Sequence, residues 1–158
     1  MKDINEKTSA YEAAIKLLSK RDISEFALRE SLEKAGYRSS EIGPAIQQLH
    51  ENKLIDDLKC AKRILELHAN AERGRLTFAR LLKSKGFTRE VISDALESLD
   101  YKQQFESATR LKQRLKGRYA GKPARETKAK LSQALSRRGF EWEIITQVMD
   151  SDTWDSEE

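Results

Sequence analysis

The sequence is poor in cysteine, histidine and long apolar runs, and each shortage excludes a class of protein or site. Its single cysteine, Cys60, excludes an internal disulfide and makes a reducing cytoplasm the expected compartment. With only His50 and His68 beside that cysteine, there is no plausible set of metal ligands. No stretch approaches the roughly 20 apolar residues that span a bilayer, and residues 1–7 lack an apolar segment of signal-peptide length. We therefore expect a cytoplasmic protein without a metal and without membrane contact.

Motifs that carry catalysis are also missing. There is no Walker-type phosphate loop, no GxGxxG after a strand, and no HExxH or CxxC. The adjacent carboxylates Asp56 and Asp57 stand where a helix is expected to begin, so helix capping explains them better than catalysis. Cys60 has no indicated histidine or asparagine partner and fits a small packed side chain. The sequence predicts neither an enzyme nor a cofactor.

Charge is distributed unevenly along a chain whose formal net charge is +4. Residues 1–100 hold 18 Lys and Arg against 17 Asp and Glu, residues 101–140 hold 12 against 2, and residues 141–158 hold none against 7. A basic block of this kind indicates a polyanionic partner, although a solvated helical face gives the same composition. The acidic tail, residues 151–158, is expected to be disordered, with docking of Trp154 as the alternative.

A motif of leucine, three residues, glycine and an aromatic residue occurs three times and indicates an internal repeat. Its glycines, Gly36, Gly86 and Gly139, are 50 and 53 residues apart, and the apolar residues around them coincide. These apolar residues recur at three- and four-residue steps, which is the helical period, and no useful length of sequence alternates with period two. We therefore predict an all-α protein of three tandem three-helix repeats, each helix-turn-helix-like in outline. The expected repeats are residues 8–55, 56–103 and 104–150.

Each glycine of the motif is expected to be a left-handed helix C-cap, with the aromatic residue after it packed back on the last turn. Stacking on nucleobases is the alternative function of Tyr37, Phe87 and Phe140. Pro44 is expected in the first turn of its helix, where a missing N–H does little harm. The segment Gly121-Lys122-Pro123 is expected to separate the first two helices of the third repeat.

The basic block supplies candidate binding residues. On a helix predicted from about Phe105 to Tyr119, Arg110, Arg114 and Arg118 share one stripe. Like charges at this spacing destabilise an isolated helix by a few tenths of a kcal/mol per pair, which an anionic partner would reverse. The helix dipole also explains cations at a helix C-terminus. The other basic candidates of this block are Lys112, Lys116, Lys122, Arg125, Lys128, Lys130, Arg137 and Arg138.

Several motifs from about Ala10 to Asp150 also match a known pattern in order and spacing. They include Leu32-Glu33-Lys34-Ala35-Gly36-Tyr37, Leu54-Ile55-Asp56-Asp57 followed by Ala61, Gly74-Arg75, Leu82-Lys83-Ser84-Lys85-Gly86-Phe87 and Leu135-Ser136-Arg137-Arg138-Gly139-Phe140. With these motifs the chain resembles the RecX regulatory proteins, which act on the bacterial recombinase RecA. The resemblance implies an elongated, curved array of three-helix repeats that binds the RecA filament on single-stranded DNA.

The resemblance also implies a function in DNA recombination and repair. Binding would limit filament growth or promote its loss, so that ATP hydrolysis, strand exchange and the co-protease activity behind the SOS response fall. The implied partners are RecA, its filament and, more weakly, nucleic acid itself, and we expect a monomer. A continuation of the basic face in the second repeat is expected at Arg73, Arg75, Arg80, Lys83 and Lys85.

One alternative function remains open. A helix-turn-helix-like DNA-binding or architectural protein acting without RecA would use one repeat's helix in a groove. It would bind duplex DNA strongly, with an affinity that falls steeply as salt rises.

Overall fold

The computed structural model describes residues 8–151, and within that range the chain is helical and contains no strand. The α-helices are α1 (Ala10–Lys20), α2 (Glu25–Lys34), α3 (Ser39–Glu51), α4 (Asp57–Leu67), α5 (Arg75–Ser84), α6 (Arg89–Leu96), α7 (Tyr101–Lys116), α8 (Ala124–Arg137) and α9 (Trp142–Asp150). A 3₁₀ helix, Gly117–Tyr119, follows α7. The all-α prediction is confirmed. None of the described helices is both long enough and apolar enough to cross a membrane.

Three hydrophobic cores divide the described helices into three bundles. Helices α1, α2 and α3 pack together in the first bundle, α4, α5 and α6 in the second, and α7, α8 and α9 in the third. Leu28, Phe78 and Leu131 are buried at equivalent points of the three cores, each eight residues before the glycine of its motif. The apolar periodicity of the sequence therefore gives each bundle the same plan, as the repeat predicted.

The second helix of each bundle ends at the glycine of the motif, in the left-handed conformation. The φ angles of Gly36, Gly86 and Gly139 are 87°, 85° and 84°, a region in which a Cβ is unfavourable. The aromatic residue that follows packs inward: Phe87 and Phe140 are buried in their cores. Tyr37 is half-buried, and its hydroxyl donates to the carbonyl oxygen of Thr8 at 2.6 Å. The packing interpretation of these aromatic residues is confirmed over base stacking.

Polar side chains cap the N-termini of several helices. Ser24 Oγ accepts from the backbone N–H of Ala27 at 3.1 Å, and Asp56 Oδ1 accepts from that of Lys59 at 3.0 Å. Thr88 Oγ1 accepts from the backbone N–H of Val91, three residues further on, at 3.3 Å. Each bond satisfies a donor that has no partner within its own helix. Capping therefore accounts for Asp56, as predicted.

Two local predictions were wrong. Helix α7 ends at Lys116, so Arg118 lies in the 3₁₀ helix rather than on a continuous α-helix to Tyr119. Pro44 is the sixth residue of α3 rather than part of its first turn, because α3 begins at Ser39. The prediction of disorder for the acidic tail covers residues 151–158, of which all but Ser151 lie outside the described residues.

Candidate functional site

Neighbouring bundles meet through their second helices. The start of the second helix of one bundle contacts the end of the second helix of the next. At the first joint, between the first and second bundles, Ser24 Oγ donates to the carbonyl oxygen of Lys85 at 2.6 Å. Ser24 is the residue before α2 and Lys85 is the residue after α5. The start of α2 therefore lies against the end of α5.

The second joint, between the second and third bundles, has the same plan. The backbone N–H of Gly74 donates to the carbonyl oxygen of Arg138 at 2.9 Å, and that of Leu76 donates to the carbonyl of Gly139 at 3.0 Å. Thr77 Oγ1 also donates to the Arg138 carbonyl, at 2.8 Å. The start of α5 thus supplies donors to carbonyls at the end of α8, where a helix has none of its own. We call α8, α5 and α2, in that order, the second-helix row.

Glycines make this close approach possible. A Cβ on Gly74 would lie 2.2 Å from the backbone of Gly139, and a Cβ on Gly139 would lie 2.5 Å from the backbone nitrogen of Thr77. At the first joint, a Cβ on Gly86 would lie 2.7 Å from Cδ1 of Phe26. At Gly86 and Gly139 the glycine of the motif therefore ends a helix and also lies at the contact between two bundles, whereas the sequence predicted only the first of these functions.

The exposed face of the second-helix row changes in charge from bundle to bundle. Residues spaced by four and then three positions lie on one side of a helix. This exposed stripe is Phe26, Glu30 and Glu33 on α2, Leu76, Arg80 and Lys83 on α5, and Ala129, Gln133 and Ser136 on α8. The equivalent positions are thus acidic in the first bundle, basic in the second and neutral in the third. The basic segment lies in the middle of the row.

Two further cations extend this basic segment. Arg137 and Arg138 are exposed at the end of α8, where the second joint begins. With Arg80 and Lys83 they form what we call the row cations. None of the four forms an ion pair with any residue in the range 8–151. The structure therefore places two predicted residues of the third repeat at the start of α5, the helix that carries two predicted residues of the second.

The predicted stripe on α7 is a second group of cations. Arg110 and Arg114 are exposed on α7, and Arg118 follows in the 3₁₀ helix. The guanidinium of Arg114 contacts Glu72 of the second bundle, with Nε donating to Oε2 at 3.1 Å. This hydrogen bond raises the pKa of Arg114. Arg110 and Arg118 have no ion-pair partner among the described residues.

Lys112 is not on an exposed face, contrary to the prediction from the sequence. Its side chain is buried, and Nζ donates to the carbonyl oxygen of Val148 at 2.6 Å and to Ser151 Oγ at 3.3 Å. Val148 lies in the last turn of α9, and its carbonyl also accepts from Ser151 Oγ at 2.7 Å, so the ammonium group adds a charged donor at the end of that helix. Lys112 therefore holds the end of α9 inside the third bundle.

Arg75 is also committed to the structure. Its Nη1 donates to the carbonyl oxygen of Leu96 at 3.1 Å, at the end of α6. Its Nε lies 3.9 Å from Oε1 of Glu141, in the third bundle. This side chain therefore connects the second bundle to the third.

Several remaining candidates lie beside carboxylates. Lys122 and Lys130 lie 3.0 and 3.2 Å from Oε1 of Glu126, and hydrogen bonds from these lysines lower the pKa of that carboxyl group. Lys128 lies 3.9 Å from Asp150. These three lysines are less available to an external anion than the row cations. Of the other candidates, Arg125 and Lys116 are exposed, and Arg73 and Lys85 are half-buried.

The first joint holds a cleft that the sequence did not reveal. It has a volume of about 280 Å³ and is lined by Arg21, Phe26, Glu30, Lys83 and Lys85, among others. Phe26 lies in this lining and is 57% exposed. The repeat offered one signal for it, because the exposed stripe places an apolar residue first on α2 and on α5.

Comparison with known proteins agrees with this architecture. The family description of the RecX third three-helix domain matches residues 102–149. The regulatory protein RecX of Chlorobaculum tepidum is 32% identical over 148 residues, which cover 93% of this chain and 90% of that protein. The regulatory protein RecX of Geobacillus sp. is 29% identical over 155 residues, and this match spans 98% of this chain but 57% of the length of that relative.

Solved structures give the same result for the fold. The crystal structure of RecX from Lactobacillus salivarius has a TM-score of 0.86 and 25% identity, covering 90% of this chain and 93% of that one. A second crystal structure of a regulatory protein RecX has a TM-score of 0.80 and 26% identity, covering 89% of this chain and 71% of that one. The extent of the sequence match and the shared fold together show that the chain belongs to the RecX family of regulatory proteins.

Proposed function

We propose that this chain is a non-enzymatic regulator of the recombinase RecA, which binds the RecA filament on single-stranded DNA and inhibits its activities. The observation that carries the proposal is the match to a regulatory protein RecX over 90% of that relative's length. Binding limits filament growth or promotes disassembly, so that the ATPase, recombinase and SOS co-protease activities of RecA fall together.

The arrangement of exposed cations supports a polyanionic partner. The row cations are Arg80, Lys83, Arg137 and Arg138, and Arg110 and Arg118 lie on the third bundle. Since none of the six is neutralised by a described carboxylate, each can pair with a phosphate or an acidic side chain without first breaking an ion pair. Arg75 and Lys112 are left out of this surface, because each already satisfies a backbone carbonyl.

The tandem arrangement suits a partner that is itself repetitive. Cations on two different bundles can contact different protomers, or different phosphates, of one filament. Once the first contact forms, the second becomes intramolecular, so weak individual contacts combine into tight binding. The affinity should fall as salt rises, because each neutralised phosphate releases condensed counterions.

The test is inhibition of the DNA-dependent ATPase of preformed RecA filaments. We expect the wild-type protein to inhibit at stoichiometric or lower ratios, and the variant with Arg110, Arg114 and Arg118 changed to Ala to inhibit more weakly. A control with Lys16→Ala and Lys20→Ala removes exposed charge from α1 and should inhibit like the wild type. Absence of inhibition by the wild type would refute the proposal, and equal inhibition by the triple variant would place the contact elsewhere.

A DNA-binding protein acting without RecA is the second candidate. The observation that favours it is the unpaired Arg80 and Lys83 on one exposed side of α5, since a cationic helix face can also contact a duplex. It predicts strong, salt-dependent binding to duplex DNA in the absence of RecA. It also predicts that the protein binds RecA filaments no more tightly than it binds bare DNA. Measuring both in the same buffer separates the two functions.

A further inference from the structure

We infer that the cleft at the first joint binds a base of single-stranded nucleic acid, with the ring of Phe26 as the stacking surface. The inference deepens the proposed function and rests on it, because a strand bound here would be the DNA of the filament or DNA exposed beside it. This inference places a nucleic-acid contact between the first and second bundles, whereas the charge distribution of the sequence places the main one in the third.

The position of Phe26 does not serve the core. The first core is formed by buried residues such as Leu28 and Leu32, while Phe26 is the second residue of α2 and points outward enough to be 57% exposed. Part of the side chain lies across the joint, since a Cβ on Gly86 would meet Cδ1 of Phe26 at 2.7 Å. An aromatic side chain that is more than half exposed at a cleft offers a surface on which an unpaired base can stack.

The charges around the ring favour a phosphate backbone. Arg21, Lys83 and Lys85 line the same cleft. Of the two carboxylates there, Asp22 lies 3.6 Å from the guanidinium of Arg63, which also carries a positive charge. Glu30 is then the one lining carboxylate without an ion pair among the described residues. The cleft therefore has an excess of cations, three against two carboxylates.

The row cations provide a path to the cleft. They lie at the end of α8 and along α5, whose far end reaches Phe26 through the first joint. The ten residues of α5 span about 15 Å, or about four nucleotides at the 3.4 Å spacing of a stacked strand. A single strand along α5 would therefore place phosphates near Arg80 and Lys83 and a base at Phe26.

The cleft discriminates a single strand from a duplex. In a duplex both faces of each base are covered by its neighbours, so a side-chain ring cannot stack without unstacking the helix. A volume of about 280 Å³ suits one base rather than a helix groove. A protein side chain inserted by a partner is the competing occupant, and the experiment below separates it.

The experiment measures binding of a fluorescein-labelled oligo(dT) to the full chain by fluorescence anisotropy, without RecA. Phe26→Leu keeps an apolar side chain but removes the stacking ring. We expect its affinity for oligo(dT) to be at least about five-fold weaker than that of the wild type. Phe26→Trp should bind as tightly as the wild type or more tightly. Glu30→Gln should tighten binding, because it removes a negative charge beside the phosphates. The control Leu67→Ala changes another exposed side chain, on α4, and should have no effect.

Two results would overturn the inference. Phe26→Leu could bind oligo(dT) like the wild type, and a loss of RecA inhibition in that case would make the cleft a protein-docking site. In the same assay with a labelled duplex, Phe26→Leu could also lose affinity for single-stranded and duplex DNA equally. Phe26→Trp controls for misfolding. If circular dichroism shows that Phe26→Leu and Phe26→Trp are both folded, only the aromatic variant should bind oligo(dT) like the wild type. Failure of the proposed function gives a different result: the wild type would not inhibit RecA, whatever the oligonucleotide affinities.

Discussion

Alanine at three left-handed glycines should destabilise the protein to different degrees. Gly86, Gly121 and Gly139 have nearly identical φ angles, of 85°, 84° and 84°. A non-glycine residue in this region costs about 1–2 kcal/mol at each position. The surroundings differ: nothing lies within 4 Å of a Cβ at Gly121, whereas a Cβ at Gly139 meets the backbone nitrogen of Thr77 at 2.5 Å. Gly121→Ala therefore measures the conformational cost alone.

Steric conflict at the joints adds to that cost. Forcing extra atoms into packed contacts costs about 1–3 kcal/mol, so Gly139→Ala should lose about 2–5 kcal/mol in total. Gly86→Ala should lie between the other two variants, because its nearest atom is Cδ1 of a movable side chain, Phe26, at 2.7 Å. The free energy of unfolding is measured by urea denaturation monitored by circular dichroism, with the melting temperature as a second readout.

Double variants test the assigned contacts. In a Phe26→Ala background the Cδ1 atom is gone, so Gly86→Ala should cost at least about 0.5 kcal/mol less than in the wild type. In a Thr77→Ala background, Gly139→Ala should cost nearly as much free energy of unfolding as in the wild type, because the backbone nitrogen of Thr77 remains in place. Equal costs for all three glycine variants would refute the reasoning, since the joints would then open without penalty.

Three further predictions concern single residues. Lys112→Met should lower the free energy of unfolding by about 1–3 kcal/mol in urea denaturation, because the Val148 carbonyl loses its charged donor and keeps the hydroxyl of Ser151; the exposed Lys102→Met is the control, and equal losses would contradict a role inside the bundle. Burial raises the pKa of the Cys60 thiol to about 11, so at pH 8 it should react with a disulfide reagent more slowly in the native protein than in urea. Burial opposes ionisation of Glu25, but hydrogen bonds from His50 and Arg29 outweigh it and lower the pKa of Glu25. The wild type should therefore be more stable than Glu25→Gln above about pH 4.5 and should lose that advantage as the pH falls through the lowered pKa, which pH-dependent denaturation would show; a gap that widens in acid would contradict the assignment.

Features that depend on neighbouring residues along the chain were predictable. The left-handed caps at Gly86 and Gly139 follow from the motif itself, and the buried Phe87 and Phe140 follow from their places beside those caps. The helical period located all three cores, because burial of an apolar stripe repeats with the helix turn.

Features that depend on the packing of one helix or bundle against another were not predictable from the sequence. Nothing near Ser24 in the sequence indicates a bond to the carbonyl of Lys85, which lies 61 positions away. The same holds for Lys112, which the sequence offered only as a basic binding candidate, since the position of α9 decides that it is buried. The exposure of Phe26 is a further case, because a single apolar residue near a helix start does not reveal which of its sides will be covered.

The end-to-end contacts of the second-helix row give the molecule a direction. The start of α5 meets the end of α8, and the start of α2 meets the end of α5, so the three helix dipoles follow one another head to tail. The positive end of the series is at Ala124 and the negative end is at Lys34. A single strand of DNA and a filament assembled on it also have two unlike ends. A protein with an axial polarity of this kind presents unlike ends, so binding along such a partner as proposed would differ in energy between its two orientations.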